Sequence, residues 1–242
     1  MIDFSKNNSN VETSGIQTKD AVSTFLANVF TYMGGALAIT GLLAYWFGST
    51  PSLMTYLINP MGGATLLGYV VMFSPLAFVL VMSFAFNKLS SFALLGLFVV
   101  YAAVMGLSMS FIFLAYTTSS IASTFFITAA TFGVMAVLGY TTKQDLTKFG
   151  SILFMALIGI IIASIVNMFL SNGMLDIIIS CVGVLVFTGL TAYDVQKLKR
   201  IGAGVEYGSE SSNKLAIMGA LNLYLDFVNL FMMLLRLFGD RR

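Results

Sequence analysis

The chain has 242 residues, of which 58% are hydrophobic and only 9% are charged, and its net charge is +2. Soluble domains carry about a quarter charged residues, so the composition predicts a polytopic membrane protein, and the small net charge gives no basis for nucleic-acid binding. There is one cysteine and no histidine, which excludes an intrachain disulfide, His-based triads, imidazole ligation of haem and the usual zinc sites.

The first residues are polar and of mixed charge. They lack the basic-then-apolar order of a cleavable signal peptide, so the first hydrophobic run should remain in the protein. We expect residues 1–25 to form a flexible cytoplasmic tail and residues 26–242 to form the transmembrane domain.

Seven apolar runs follow, each close to the roughly 20 residues that a helix needs to cross a bilayer. Pro51, Pro60 and neighbouring glycines predict an irregular loop after the first run, and Pro75 predicts a possible kink site in the second. The sixth run should continue as a helix past the membrane and break at its glycines. The predicted spans are 26–48, 64–87, 91–115, 119–140, 149–170, 174–193 and 215–238, and the predicted break lies at Gly202, Gly204 and Gly208.

Loop charges predict the orientation. The loops at 49–63, 115–119 and 171–174 contain no lysine or arginine, whereas the alternate loops do. Because positive loops remain in the cytoplasm, the N-terminus should be cytoplasmic. A seventh crossing places Arg241 and Arg242 outside, against this trend, and a re-entrant last segment would keep them inside; the length of the run favours the crossing. The positive residues on the cytoplasmic side are Lys6, Lys19, Lys88, Lys143, Lys148, Lys197, Lys199, Arg200 and Lys214.

The last run contains a polar stripe with an aspartate near its middle. A carboxylate at the centre of a membrane helix costs roughly 2.5–3.5 kcal/mol or more, so Asp226 should face the protein interior or water. Polar residues can also simply hold helices together, which would explain the asparagines but explains an ionisable Asp226 poorly. The stripe, spaced for one helical face, is Gly219, Asn222, Asp226, Asn229, Met233 and Arg236.

Asp194 is the candidate partner of Asp226. It follows Thr188 and Thr191 at intervals of three residues, at the cytoplasmic end of the sixth run. Alternatively, Asp194 is an ordinary helix-end carboxylate paired with Lys197 at i+3. Two carboxyl groups in a low-dielectric site can share one proton and then titrate as a unit, which would allow a pH-sensing latch.

Three segments carry a resemblance to a known family: "TTKQDLTKFGSILFMALIGI", "FTGLTAYDVQKLK" and "LNLYLDFVNLFMMLLRLFG". They resemble the signature segments of the Bax inhibitor family, the transmembrane Bax-inhibitor-motif proteins. The resemblance implies an all-α bundle of seven transmembrane helices, six around a central C-terminal helix, in the bacterial inner membrane. It also implies a pH-sensitive calcium leak whose proton sensor is the pair Asp194 and Asp226. Some relatives add an arginine that bonds the pair, and the nearest position here is Lys88, a candidate latch cation without the bidentate fork.

The residue types agree with this chemistry. Calcium takes oxygen ligands, which Asp194 and Asp226 could supply transiently, and no resident cofactor is expected. Asn222, Asn229 and Thr191 are the candidate polar residues of a pore. The expected partners are the lipid bilayer and calcium as the permeant ion.

The two aspartates and the N-terminal tail also allow two other classes of function. Intramembrane aspartyl proteases also use two aspartates, but their G-x-G-D element is missing and the bulky Leu225 and Phe227 flank Asp226, so an enzyme is not expected. The third class is a regulatory membrane protein that modulates a membrane-anchored AAA protease or a stress response without transport, with the N-terminal tail as the contact. The sequence leaves leak and regulation open.

Overall fold

The structure of the protein is a computed structural model that describes residues 5–59, 63–206 and 208–242, with side chains from Asp20 onward. Within these ranges the chain is helical, and the short helices α2 and α5 lie where it turns between longer ones. The helices are α1 (Ser5–Ser49), α2 (Pro51–Met54), α3 (Leu66–Ala85), α4 (Ser91–Met109), α5 (Ile112–Ala115), α6 (Thr118–Thr141), α7 (Thr147–Leu170), α8 (Gly173–Gly204) and α9 (Glu210–Phe238).

Seven helices in the described ranges are long and apolar enough to cross a membrane, which confirms the predicted number of spans. Many begin at a residue whose side chain accepts a hydrogen bond from a backbone amide of the first turn and so satisfies a donor that the helix leaves unpaired. These capping residues are Thr65, Ser90, Thr117, Asn172 and Ser209.

The ends of the first and sixth spans differ from a simple apolar run. Helix α1 begins at Ser5, but the side chains before Asp20 lie outside the described part of the chain, so the tail predicted for residues 1–25 stays a prediction. Helix α8 continues through Gly202 and ends at Gly204, and Gly208 has φ of +77°, a conformation that favours glycine. The predicted break is therefore confirmed at the last two of its three glycines.

Helix α9 is the centre of the bundle. In its most apolar window 72% of the residues are buried, compared with 17% to 33% in the other six spans. It packs directly against α1, α4, α6 and α8, while α3 packs on α4 and α7 packs on α8. Its 29 residues form one continuous helix. At 1.5 Å per residue this length exceeds the ~30 Å hydrocarbon core, so α9 has the length of a full crossing.

Glycines allow the closest helix contacts. A Cβ atom at Gly139 of α6 would lie 2.8 Å from the Cα of Ala192 of α8, and one at Gly106 of α4 would lie 2.7 Å from the carbonyl oxygen of Thr40 of α1. Small residues at such crossings let two backbones approach, which replaces the hydrophobic driving force that is missing within a membrane. The α6–α8 contact fixes the part of α8 that carries Asp194.

The connection between α6 and α7 is held by a polar network with α8. Arg200 donates to Asp145 Oδ1 at 2.6 Å and to Thr147 Oγ1 at 2.8 Å, and Gln196 Nε2 donates to the carbonyl of Gln144 at 2.7 Å. The hydrogen bonds from Thr147, followed by that from Arg200, lower the pKa of Asp145 to about 2. Asp145 therefore stays ionised throughout the neutral pH range.

The predicted orientation has a direct test by cysteine labelling. With Cys181 replaced by Ser, a cysteine at Lys143 should be labelled by a membrane-impermeant thiol reagent only after the cells are opened. A cysteine at the exposed Ser119, at the opposite end of α6, should be labelled in intact cells. The expectation follows from the lysine and arginine bias of the loops. Labelling at Lys143 in intact cells would mean that the chain has the opposite orientation.

Candidate functional site: an aspartate pair between α8 and α9

Helices α8 and α9 run antiparallel along the axis of the bundle, and glycines set their register. A Cβ at Gly183 would lie 2.9 Å from the Sδ of Met233, and a Cβ at Gly219 would clash with a methyl group of Leu198. This register places the middle of α9 beside the stretch of α8 that contains Thr191 and Asp194. Small residues in both helices therefore bring the two aspartates onto one interface.

Asp226 is buried and Asp194 faces it. The side chain of Asp226 is 6% exposed, and its Oδ2 atom has no hydrogen-bond donor in the described part of the chain. Its carboxyl group lies within hydrogen-bonding reach of the carboxyl group of Asp194, which is half-buried. Lys197 is exposed and forms no ion pair with Asp194 among the described residues. The structure thus brings together the two aspartates that the sequence indicated.

The other predicted polar residues have different surroundings. Thr191 is buried and donates to the carbonyl of Phe187 at 2.8 Å, and Asn229 donates from Nδ2 to the carbonyl of Leu225 at 2.9 Å. Both side chains are therefore engaged by the backbone of their own helix. Asn222 is exposed and lies one helical turn before Asp226, on the side of Asp194.

The structure does not bring Lys88 to the aspartate pair. Lys88 is exposed in the turn after α3, and α3 packs on α4 rather than on α8 or α9. No ion pair joins Lys88 to either aspartate in the ranges that the structure describes.

The pair is shut off from the other end of the bundle by an apolar layer on α9. Leu230 and Leu235 are fully buried, and Phe231 and Leu234 are 6% and 5% exposed. These residues lie between Asp226 and the end of α9 that carries Arg236. The pair is thus separated from Arg236 by buried apolar side chains.

The structure contains a second group of buried polar side chains that was not predicted from the sequence. Tyr224 and Thr40 share a hydrogen bond of 2.7 Å, and Thr40 also donates to the carbonyl of Ala102 at 2.8 Å. The hydroxyls of Tyr101 and Ser180 are buried without a partner among the described residues. Tyrosine, serine and threonine are common in apolar runs, so no spacing signal set these four residues apart from ordinary packing.

A charge cluster at the end of α9 that carries Arg236 was also not predicted from the sequence. Asp176, in the first turn of α8, lies 3.6 Å from a guanidinium nitrogen of Arg236 and 3.8 Å from one of Arg241. A signal was available, because an acidic residue at the start of one helix and a basic residue at the end of the next form a favourable pair when the helices are antiparallel.

Comparison with known proteins agrees with this architecture. The family model described as "Inhibitor of apoptosis-promoting Bax1" matches residues 22–242. The chain is 45% identical over 228 residues to the inner membrane protein YbhL of Escherichia coli (strain K12), covering 94% of this chain and 96% of the relative. It is 40% identical over 243 residues to RP147 of Rickettsia prowazekii (strain Madrid E), covering 100% of both.

A membrane protein of Streptococcus pyogenes serotype M3 (strain MGAS315), SpyM3_0260, is more distant. It is 34% identical over 228 residues, which cover 92% of this chain and 95% of the relative. The residues that the family model matches, 22–242, contain the seven predicted spans and the positions of Asp194 and Asp226. An all-helical bundle around α9, a family model that matches nearly the whole chain and relatives that match end to end lead to one conclusion: this chain is an integral membrane protein of the Bax inhibitor family.

Proposed function

We propose that this protein is a pH-sensitive calcium leak channel in a bacterial inner membrane and that Asp194 and Asp226 form its proton-sensing gate. The observation that supports this most is the buried Asp226, whose Oδ2 atom lacks a donor and whose nearest acidic neighbour is Asp194. A carboxylate in this position has a high energetic cost, and a purely structural role would be served as well by an amide.

The pair has the chemistry of a switch. Two carboxyl groups within hydrogen-bonding reach are compatible when they share a proton and repel each other when both are ionised. The doubly ionised pair offers oxygen ligands to a calcium ion entering past Asn222. A channel site must bind an ion weakly enough to release it, and a ligand set that protonation can neutralise meets that condition.

The other titratable groups of the chain bear on the pH range in which the flux should respond. Unperturbed side chains that change charge between pH 5 and 8 are histidines, and this chain has none. Asp145, the ionised group of the α6–α7 connection, has a pKa of about 2 and does not respond in that range. The α-amino group also titrates near this range, so a response between about pH 6 and 8 is assigned to the pair only when substitution of its aspartates removes it.

Conduction also requires the apolar layer formed by Leu230, Phe231, Leu234 and Leu235 to open. Repulsion within the ionised pair would push α8 and α9 apart. Helix α9 carries this layer, and α8 packs against α9. Pro75 removes one backbone hydrogen bond within α3, so this helix is a candidate for an accompanying movement.

A flux measurement tests the proposal. Purified protein reconstituted into calcium-free liposomes should admit calcium, reported by a dye inside, at a rate that changes between about pH 6 and 8. Liposomes without protein give the background at each pH. The expected result is a reversible change in rate with pH, since protonation of the pair is reversible.

Calcium entry that does not exceed the background at any pH would contradict the leak channel. The regulatory role, in which the protein modulates a membrane-anchored AAA protease without transport, would then be favoured, with the aspartates as a contact between helices. Removal of residues 2–20 distinguishes the two roles, because a leak should keep its flux and a regulator should lose its partner.

A further inference from the structure

An apolar groove lies between α1 and α6 and extends along α9 from Phe227 toward the end of α6 that carries Thr118. Its floor is α9, with Phe227, Val228 and Phe231, and its closed end is formed by α5, with Phe113. The volume is about 330 Å³, and Tyr45 and Phe125 stand at its sides with 56% and 37% of their surface exposed. The groove thus gives molecules around the protein access to the central helix.

The groove suits a hydrocarbon chain. It lies within the membrane-spanning part of α1 and α6, and the hydroxyl of Thr40, a polar group in its lining, is already engaged by Tyr224 and by the carbonyl of Ala102. An apolar recess does not hold water, and an empty one loses the dispersion contacts that its walls could make. Within a bilayer, the molecule available to fill it is a lipid acyl chain.

Positive charge lies at the end of the groove that contains Thr118. The backbone amide of Arg242 donates to the carbonyl of Ala115 at 3.0 Å, and that of Thr117 donates to the carbonyl of Asp240 at 3.1 Å. These bonds fix the arginines beside Thr118, which belongs to the groove lining. Arg242 is exposed, and its side chain has no ion pair among the described residues, while Arg241 is 66% exposed and lies 3.8 Å from Asp176.

The charge balance of this rim favours an anion. Among the described residues at this end, the three arginines Arg236, Arg241 and Arg242 outnumber the two side-chain carboxylates Asp176 and Asp240. Arginine donates to phosphate through a planar fork, and positive side chains near a membrane surface attract anionic lipids by about 1 kcal/mol each.

We propose that the groove between α1 and α6 binds one anionic phospholipid, with an acyl chain against α9 and the headgroup phosphate at Arg241 and Arg242. The site is separate from the aspartate pair and does not depend on calcium transport. A lipid held here would contact Phe227 and Phe231 of the central helix, so its presence would stabilise the packing of α9 against α6.

Quenching of a single tryptophan by brominated lipids tests the site in a bilayer. Trp46 is the one tryptophan of the chain and is replaced by Phe. A new tryptophan at Phe125 reports the groove, and one at Ile162 of α7, 57% exposed and at similar depth, reports ordinary surrounding lipid. With brominated phosphatidylglycerol, the Phe125→Trp signal should reach half-quenching at about one tenth of the mole fraction that Ile162→Trp requires.

Two glycines of α1 provide matched controls. A Cβ atom at Gly41, which lines the groove, or at Gly34, which does not, would meet no atom within 4 Å. Gly41→Leu should fill the groove and remove the difference between the two reporters, whereas Gly34→Leu should preserve it. If the two tryptophan reporters reach half-quenching at the same mole fraction in protein that keeps both Gly41 and Gly34, the proposed site is overturned.

The headgroup part is tested separately. The double variant Arg241→Gln/Arg242→Gln should weaken quenching by brominated phosphatidylglycerol in the groove and leave quenching by brominated phosphatidylcholine unchanged. If quenching in the groove occurs at the same low mole fraction for both brominated lipids and is unchanged in this variant, the assignment of the headgroup to the arginines is overturned.

Discussion

Replacement of Asp226 by Asn should abolish the pH dependence of calcium entry into liposomes between about pH 6 and 8. Asparagine has nearly the shape of aspartate but cannot ionise, so the carboxyl group of Asp194 loses the neighbour with which it shares a proton in the proposed gate. Asp226 is buried and its Oδ2 atom has no donor in the described part of the chain, so the substitution breaks no hydrogen bond to that atom there. We expect the rate to become constant across this range.

Two further variants test whether the two aspartates of the proposed gate act as a coupled pair. Asp194→Asn should flatten the response in the same way, and the double variant should do little more than either single one, because coupled groups titrate together. Asp145→Asn is the matched control, since Asp145 is exposed and already ionised at neutral pH. Additive effects of the two pair variants would indicate two independent sites, and an unchanged pH response would exclude the aspartates as the sensor.

Gly139→Ala should destabilise the protein by about 1–3 kcal/mol or more, because it overpacks a contact between two backbones. A Cβ at this position would lie 2.8 Å from the Cα and 2.9 Å from the carbonyl carbon of Ala192. A flexible side chain could turn away, but these backbone atoms can move only if α6 and α8 separate. The midpoint of thermal unfolding in detergent, followed by circular dichroism, measures the effect.

Gly133→Ala is the control on the same helix. A Cβ at Gly133 would meet no atom within 4 Å. Since alanine is favoured over glycine in a helix by up to about 1 kcal/mol, this variant should be as stable as the parent or more stable. If both variants unfold at the same temperature, the close approach of α6 and α8 is not important for stability.

The sequence was sufficient for the class of protein and the number of spans. Each crossing needs a long apolar run because every backbone polar group must be satisfied within the membrane, and such runs can be counted in a single sequence. The break after α8 was also predictable, because Gly204 and Gly208 interrupt a helical pattern locally. Asp226 was recognisable as an interior residue because both its residue type and its position near the middle of an apolar run can be read from the sequence, and together they set its cost in lipid.

The meeting of residues from different helices was decided by tertiary structure. Asp194 had two candidate partners in the sequence, Asp226 and Lys197, and only the antiparallel packing of α8 against α9 places the two carboxyl groups together. Lys88 was the nearest match for a latch cation along the chain, but the packing of α3 on α4 leaves it exposed and away from the pair.

The groove beside α9 was not predictable from any local pattern. Its lining comes from α1, α4, α5, α6 and α9, whose residues are ordinary apolar residues of membrane helices. A recess exists because the helices diverge there, and divergence depends on where glycines such as Gly106 and Gly139 allow close approach and where bulky residues prevent it. Hydrophobic runs thus determine which segments enter the membrane, whereas side-chain volumes at the crossings determine which residues face each other.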